Sequence, residues 1–62
     1  MTEFIDLYEK YNDKVISDDD MEEIEECELV VRIENNGVSS EHYPAIWYTA
    51  YNIFEDEINF YM

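Results

Sequence analysis

Residues 27–37 read CELVVRIENNG and carry the clearest local pattern in the chain. Apolar and polar side chains alternate from Cys27 to Glu34, and a period of two predicts a strand with one buried face, here Cys27, Leu29, Val31 and Ile33. Asn35-Asn36-Gly37 follows, and Asn-Gly is a strong hairpin signal because both central residues of a type I′ turn need positive φ. The segment therefore predicts a β-hairpin, with Val38 to Tyr43 as a polar edge strand.

The segment before the hairpin has the spacing of an amphipathic helix from Thr2 to about Ile16. Its apolar stripe recurs every three or four residues, at Phe4, Tyr8, Tyr11 and Val15,. Thr2 is placed to act as the N-cap, and Lys14 suits the negative end of the helix dipole.

A second, acidic helix is predicted from Asp18 to about Glu25. Ser17 with Asp20 three residues later approximates a capping box in which Asp replaces Glu,. Met21 and Ile24 would face inward at this spacing, and the acidic side chains would lie in water.

The segment after the hairpin begins at Pro44, which fits the first position of a helix. Apolar residues then recur at helical spacing and predict a C-terminal helix, at Trp47, Ala50, Tyr51, Phe54, Ile58 and Tyr61,. The alternative is further strands, because residues 46–49 are rich in β-formers and Glu55-Asp56 could form a turn. The predicted fold is α+β, a single domain over residues 1–62 with an N-terminal helix, a short acidic helix, a hairpin and a C-terminal helix.

The charge of the chain is its most unusual property. Seventeen Asp and Glu face only Lys10, Lys14 and Arg32, so the formal net charge is −14. Such a chain lacks the cations that neutralise phosphates, which argues against direct binding to nucleic acid or to an anionic membrane. Apolar residues at 47% and aromatics at 16% favour folding over acidic disorder,. The alternative explanation of the negative charge is that it provides solubility or adapts the protein to a high-salt cytoplasm.

Chemistry of the enzymatic or metal-binding kind is not indicated by the sequence. Cys27 and His42 are the single cysteine and histidine, with no third residue to complete a catalytic or zinc-binding set,. The acidic run lacks the spacing and glycine of an EF-hand loop. We therefore expect no enzyme activity, no cofactor and no specific metal. One cysteine fits a reducing compartment, and the start of the chain lacks the pattern of a signal peptide, so we expect a cytoplasmic protein.

The densest negative segment is Asp18–Glu28, in which eight of eleven residues are acidic. On a helix these charges would recur about every 2 Å, close to the ~1.7 Å per charge of duplex DNA. A solvated helix face is the simpler explanation of such a run. The predicted partner-binding residues are this run with further acids and one aromatic anchor: Asp18, Asp19, Asp20, Glu22, Glu23, Glu25, Glu26, Glu28, Glu34, Glu55, Asp56, Glu57 and Trp47.

In size, acidity, aromatic content and its lone cysteine, the chain resembles the small DNA-mimic inhibitor proteins of phages and mobile elements. The resemblance is one of composition over the whole chain and matches no motif. It implies an inhibitor that binds the basic nucleic-acid-binding surface of a host protein, such as a defence nuclease, CRISPR effector, repair glycosylase, nucleoid protein or polymerase, in the host cytoplasm. The alternatives are an acidic adapter or small subunit that does not compete with nucleic acid, and a homodimer formed along the last helix.

Overall fold

The elements of the fold are two helices and four strands, seen in a computed structural model that describes residues 3–62. In chain order they are α1 Phe4–Tyr11, β1 Lys14–Val15, α2 Asp18–Glu26, β2 Arg32–Val38, β3 Ile46–Tyr51 and β4 Glu57–Tyr61. The strands form one mixed sheet in the order β1-β4-β3-β2, in which β1 is parallel to β4 and the other pairs are antiparallel. The α+β class is confirmed.

Helix α1 is shorter than predicted. Its N-cap is Glu3, whose backbone N–H donates to the Asp6 carboxylate at 3.0 Å; the proposed cap Thr2 lies outside the described residues. The helix ends at Tyr11 because Asp13 takes a left-handed conformation with φ of 60°. The chain then becomes β1, so Val15, predicted for the helical stripe, is instead an exposed strand residue.

Helix α2 confirms its prediction. The hydroxyl of Ser17 accepts from the Asp20 N–H at 3.3 Å, and the Asp20 carboxylate accepts from the Ser17 N–H at 3.1 Å. These reciprocal bonds form the capping box that the sequence indicates. Met21 and Ile24 are buried as expected.

The predicted strand over Cys27–Glu34 is wrong in its first five residues. After α2 the chain turns, with the Val30 N–H donating to the Cys27 carbonyl at 3.1 Å, and the strand begins only at Arg32. The turn shifts the buried side, so that Cys27, Val30 and Ile33 pack against the core while Leu29 and Val31 are exposed. The four-residue turn over 27–30 places every third side chain on the core side, a spacing that the alternation of the sequence does not reveal.

Asn36-Gly37 forms a β-bulge within β2 and not the predicted hairpin turn. Between the pairs Asn35–Tyr48 and Val38–Ile46, β2 has one residue more than β3. Gly37 supplies the left-handed φ of 88° that this irregularity requires,. Positive φ therefore occurs at Gly37 but not at Asn36, and it serves a bulge.

The hairpin exists with different strands, since β2 pairs with β3. The predicted return strand Val38–Tyr43 is wrong, because Val38 ends β2 and the return strand is β3. Residues 39–45 form the connecting loop, which contains a cis peptide bond between Tyr43 and Pro44. The Ser39 hydroxyl accepts from the His42 N–H at 3.2 Å and closes this loop locally.

The predicted C-terminal helix is wrong, and the alternative of further strands is confirmed. Residues Ile46–Tyr51 and Glu57–Tyr61 form the antiparallel strands β3 and β4. The turn between them contains Glu55-Asp56, with Glu55 at a φ of 65°. β-Branched and aromatic side chains fit the pleated surface, and here that preference outweighs the helical spacing. The homodimer considered along a last helix loses its structural basis.

Both helices pack on one face of the sheet. Their buried residues share one core with strand residues: Leu7, Tyr11, Ile16, Met21, Ile24, Ala50, Ile58 and Phe60. Side chains alternate along a strand, so Trp47, Thr49, Asn59 and Tyr61 fall on the opposite face. We call this the open face, since neither α1 nor α2 covers it. Within residues 3–62, no helix has the length and apolarity needed to cross a bilayer.

Candidate binding surface

The acidic helix α2 presents its carboxylates outward because Met21 and Ile24 fix its inner side in the core. Six acids of the predicted run are exposed and make no salt bridge within residues 3–62: Asp18, Asp19, Glu22, Glu25, Glu26 and Glu28. We call these six residues the acidic surface. Five of them lie on α2, and Glu28 lies in the turn that follows it. The structure therefore keeps most of the predicted run together.

The two remaining acids of the run, Asp20 and Glu23, are bound within the molecule. The buried Tyr11 donates its hydroxyl to Glu23 at 2.7 Å and approaches Asp20 at 3.3 Å. Lys10 forms a salt bridge with Glu23 at 3.1 Å. These contacts face α1 and fix the orientation of α2 relative to the rest of the protein.

The pKa values of these groups reflect the same contacts. Hydrogen bonds from Tyr11 and then Lys10 lower the pKa of Glu23. Hydrogen bonds from Ser17 lower the pKa of Asp20. Burial, followed by its bond to Glu23, raises the pKa of the Tyr11 hydroxyl. Both carboxylates are held in the ionised form, and their negative charge is used to anchor α2.

An open groove adjoins the acidic surface. Its lining combines apolar residues with acids of the run: Leu7, Cys27, Leu29, Asp19, Glu22, Glu23, Glu26 and Glu28. Leu29 is 41% exposed and lies beside these acids. A partner side chain with an aliphatic stem and a cationic end, such as lysine or arginine, fits this combination of apolar floor and acidic wall.

The predicted acids outside the run are placed elsewhere. Arg32 binds Glu55 through two hydrogen bonds at 2.8 and 3.0 Å and also pairs with Glu34 at 3.1 Å. The arginine lies over the ring of Tyr51 at 3.9 Å. Arg32 lowers the pKa of Glu55. Glu34 and Glu55 are therefore engaged with a cation, and they are not part of the acidic surface.

Asp56 and Glu57 belong to the far end of the β3–β4 hairpin. Asp56 accepts a hydrogen bond from the Asn52 side chain at 3.0 Å, and Glu57 begins β4. Both line a separate groove against α1. Apart from Asp20, the predicted acids without a salt bridge in residues 3–62 are thus divided between the acidic surface and this second groove.

Trp47 lies on the open face, opposite the face on which α2 packs. Its indole N–H donates to Asn59 at 3.3 Å, and Asn59 also accepts from the buried Thr49 hydroxyl at 2.8 Å. The Asn36 amide donates to the same hydroxyl at 2.8 Å. The tryptophan is thus tied into a polar network, and the exposed apolar residue in the groove of the acidic surface is Leu29 instead.

The chemistry-bearing residues considered in the sequence are separated. Cys27 packs against the core at the end of α2, while the His42 ring lies 4.2 Å from that of Tyr61, a residue of the open face. Within residues 3–62, no three Asp, Glu, His or Cys side chains are grouped in a way that could hold a metal ion.

Sequence reasoning missed one surface, the tip of the β3–β4 hairpin. Ile53 and Phe54 are 72% and 78% exposed there. The predicted C-terminal helix placed Phe54 on its apolar stripe, so the side chain was expected to be buried. Reading Asn52 as the first residue of a turn would have exposed both side chains.

Comparison with known proteins adds no relative. No protein-family model, no curated protein and no solved structure matches the chain.

Proposed function

We propose that this protein is an inhibitor that mimics DNA and binds the basic nucleic-acid-binding surface of a host protein in the cytoplasm. The observation that carries the proposal is the acidic surface: six exposed carboxylates without a salt-bridge partner in residues 3–62, on and just after a helix that is capped at Ser17 and anchored by Tyr11. A held array of charge loses less conformational freedom on binding than a disordered acidic tail.

The spacing of the free charges supports this comparison. The nine residues of α2 span roughly 13 Å of helix axis, so its five free carboxylates recur about every 3 Å,. Duplex DNA carries one charge per ~1.7 Å and a single strand one per ~3.4 Å. Asp18, Glu22 and Glu26 also follow one another at four-residue intervals and form a row along the helix. With Asp20 and Glu23 used internally, the array is closer to one DNA strand than to a duplex.

Specificity for one target would come from the apolar floor beside the charges. Charge steers association and rejects acidic proteins, while a desolvated contact determines how long the complex lasts. Leu29 in the groove of the acidic surface is the residue suited to that role. The candidate targets are a defence nuclease, a CRISPR effector, a repair glycosylase, a nucleoid protein or a polymerase, whose nucleic-acid sites share lysine and arginine.

A capture experiment followed by DNA competition tests the proposal. The immobilised chain should retain a basic nucleic-acid-binding protein from host cytoplasm at low salt, and a duplex or single-stranded oligonucleotide should release it. Retention that added nucleic acid does not reverse would favour the acidic adapter. Failure to retain any nucleic-acid-binding protein would overturn both the mimicry and the choice of target.

Matched charge variants then test the surface itself. Glu22→Gln with Glu26→Gln should slow association with the captured protein and reduce the dependence of affinity on salt. Glu9→Gln with Glu41→Gln removes the same charge from exposed positions outside α2. Equal effects from the two pairs would mean that only net charge matters, which contradicts a defined binding surface.

A further inference from the structure

The tip of the β3–β4 hairpin displays two large apolar side chains to solvent. Ile53 is 72% exposed and its neighbour Phe54 is 78% exposed. Single exposed apolar residues are ordinary on protein surfaces, but two adjacent ones on a turn form a larger patch. We call residues 52–56 the hairpin tip.

The hairpin tip is held in one conformation. The side-chain oxygen of the nearly buried Asn52 accepts from the N–H groups of Phe54 and Asp56, each at 2.9 Å. The Glu55 N–H donates to the Asn52 carbonyl at 3.1 Å, and the Glu55 carboxylate is fixed by Arg32. Ile53 and Phe54 therefore project from a turn whose backbone is restrained from both sides.

Nothing in the fold requires apolar residues at the hairpin tip. Turns favour Gly, Asn, Asp and Ser because these residues adopt the backbone conformations or supply the local hydrogen bonds of a turn. Here Asn52 supplies those bonds, while Ile53 and Phe54 are absent from the core. Binding residues are found disproportionately on loops that a rigid scaffold positions, and the hairpin tip is such a loop.

A groove that is partly apolar lies between the hairpin tip and α1. It is lined by Phe4, Ile5, Tyr8, Asn52, Asp56 and Glu57. Ile5 is exposed to 53% and Tyr8 to 42%. A protruding pair of apolar side chains thus stands next to an open groove with an aromatic and aliphatic wall.

The charged residues that line this groove are negative. Asp56 and Glu57 line the groove, and the nearby cation Arg32 is already bound to Glu55 and Glu34. A second copy of this chain would bring further negative charge to the same place, which is unfavourable at a net charge of −14,. The complementary occupant is an apolar segment bordered by lysine or arginine.

We propose that the hairpin tip and the adjoining α1 groove form a second binding surface, which receives a basic amphipathic segment of a partner protein. Phe54 and Ile53 contact the apolar side of that segment, and Asp56 and Glu57 pair with its cations. Aromatic residues at the centre of an acidic rim have the composition of interface hot spots. This surface does not depend on DNA mimicry, since an adapter would use it equally.

Titration with defined peptides tests the inference. The probe is a synthetic helix-forming peptide of leucine and lysine, with its leucines along one face, and the control probe is an oligolysine that contains the same number of lysines. Both are added to the isotope-labelled chain while amide chemical shifts are recorded. The amphipathic peptide should shift residues 4–8 and 52–57, and oligolysine should act mainly on α2.

Variants of the chain make the test specific. Ile53→Ser with Phe54→Ser should weaken binding of the amphipathic peptide by about tenfold or more, as expected for loss of a hot spot. Val38→Ser removes a side chain that is 62% exposed on β2 and should leave the affinity unchanged. The amide spectrum of each variant reports whether the fold is intact.

Three outcomes would overturn the inference. The first is that the amphipathic peptide shifts only amides of α2. The second is that Val38→Ser loses as much affinity for the peptide as Ile53→Ser with Phe54→Ser. The third is that shifts at residues 52–57 grow with the concentration of the chain alone, which would identify a second copy as the occupant. None of these outcomes would contradict the proposed function, because DNA competition at the acidic surface does not require residues 52–57.

Discussion

The Tyr11 hydroxyl donates a hydrogen bond of 2.7 Å to the Glu23 carboxylate and so joins a core residue to the acidic helix. The Tyr11 ring is buried, with Asp20 also within 3.3 Å of its hydroxyl. The ring thus stabilises the core, while its oxygen sets the rotation of α2 and with it the direction of the free carboxylates.

Tyr11→Phe separates these two roles, because it keeps the ring and removes the hydroxyl. We expect the free energy of unfolding to fall by about 1 kcal/mol, the usual value of one hydrogen bond. Urea denaturation measures the change. Tyr8→Phe is the matched control, since that hydroxyl has no side-chain partner in the described part of the chain. Equal losses in the two variants would show that the bond to Glu23 contributes nothing.

The pKa of Glu23 makes its contribution dependent on pH. A lowered pKa in the folded state means that the ionised form stabilises the protein above the ordinary carboxyl pKa and that this gain disappears as pH falls through the lowered value,. Glu23→Gln should therefore lower the urea midpoint at neutral pH and have little effect in acid.

The control for this titration is Glu22→Gln, which removes the same charge from a neighbouring exposed position. It should leave the midpoint unchanged or raise it at neutral pH, because it relieves repulsion in an acidic chain. A Glu23→Gln penalty that persists unchanged in acid would contradict the assigned role of the carboxylate.

Gly37 is expected to resist substitution despite free space around it. A Cβ added there meets no atom within 4 Å, but its φ of 88° is unfavourable for residues with a side chain. Gly37→Ala should cost about 1 kcal/mol or more in the free energy of unfolding. Gly37→Asn should cost less, since asparagine tolerates the left-handed region. Thermal and urea unfolding of both variants would reveal whether backbone conformation or space limits the site.

Asn52 is expected to be the most sensitive residue of the hairpin tip. Asn52→Ala removes two acceptor bonds to backbone N–H groups and one donor bond to Asp56, at a nearly buried position. The expected loss is about 2 kcal/mol, measured by urea denaturation. Asn52→Asp keeps both acceptor bonds but sets a second carboxylate against Asp56, so its loss should be at least as large at neutral pH and smaller in acid, where the carboxylates are protonated,. A stable Asn52→Ala protein would mean that the turn is not held by this side chain.

Local signals in the sequence predicted the elements that depend on local chemistry. The capping box of Ser17 and Asp20 and the inward spacing of Met21 and Ile24 were sufficient for α2, because a helix forms from contacts between near neighbours. The α1 boundary failed at Asp13, where a left-handed residue ended the helix. Aspartate can adopt a left-handed conformation, but the spacing of the apolar residues does not predict where it does so.

The sheet depended on contacts that the sequence pattern does not contain. Trp47, Ala50 and Tyr51 fit a helical stripe as well as a strand, and only pairing with β4 decides between them. Asn36-Gly37 signalled positive φ, which Gly37 adopts and Asn36 does not, since a bulge needs it at one residue where the predicted turn needs it at two,. The acidic surface was found because charge is visible in the sequence. The hairpin tip was not, because its residues resembled a buried face.

The order of the strands has a consequence for the synthesis of this protein. β4 is the last strand along the chain, yet it lies inside the sheet between β1 and β3, with Lys14 paired to Phe60. The chain between Lys14 and Phe60 must close into a loop before the pairing of β1 with β4 contributes any stability. Sheets with such long-range pairing form slowly. Residue 61 must therefore emerge from the ribosome before the sheet can be completed. Until then the core lacks the β4 residues Ile58 and Phe60.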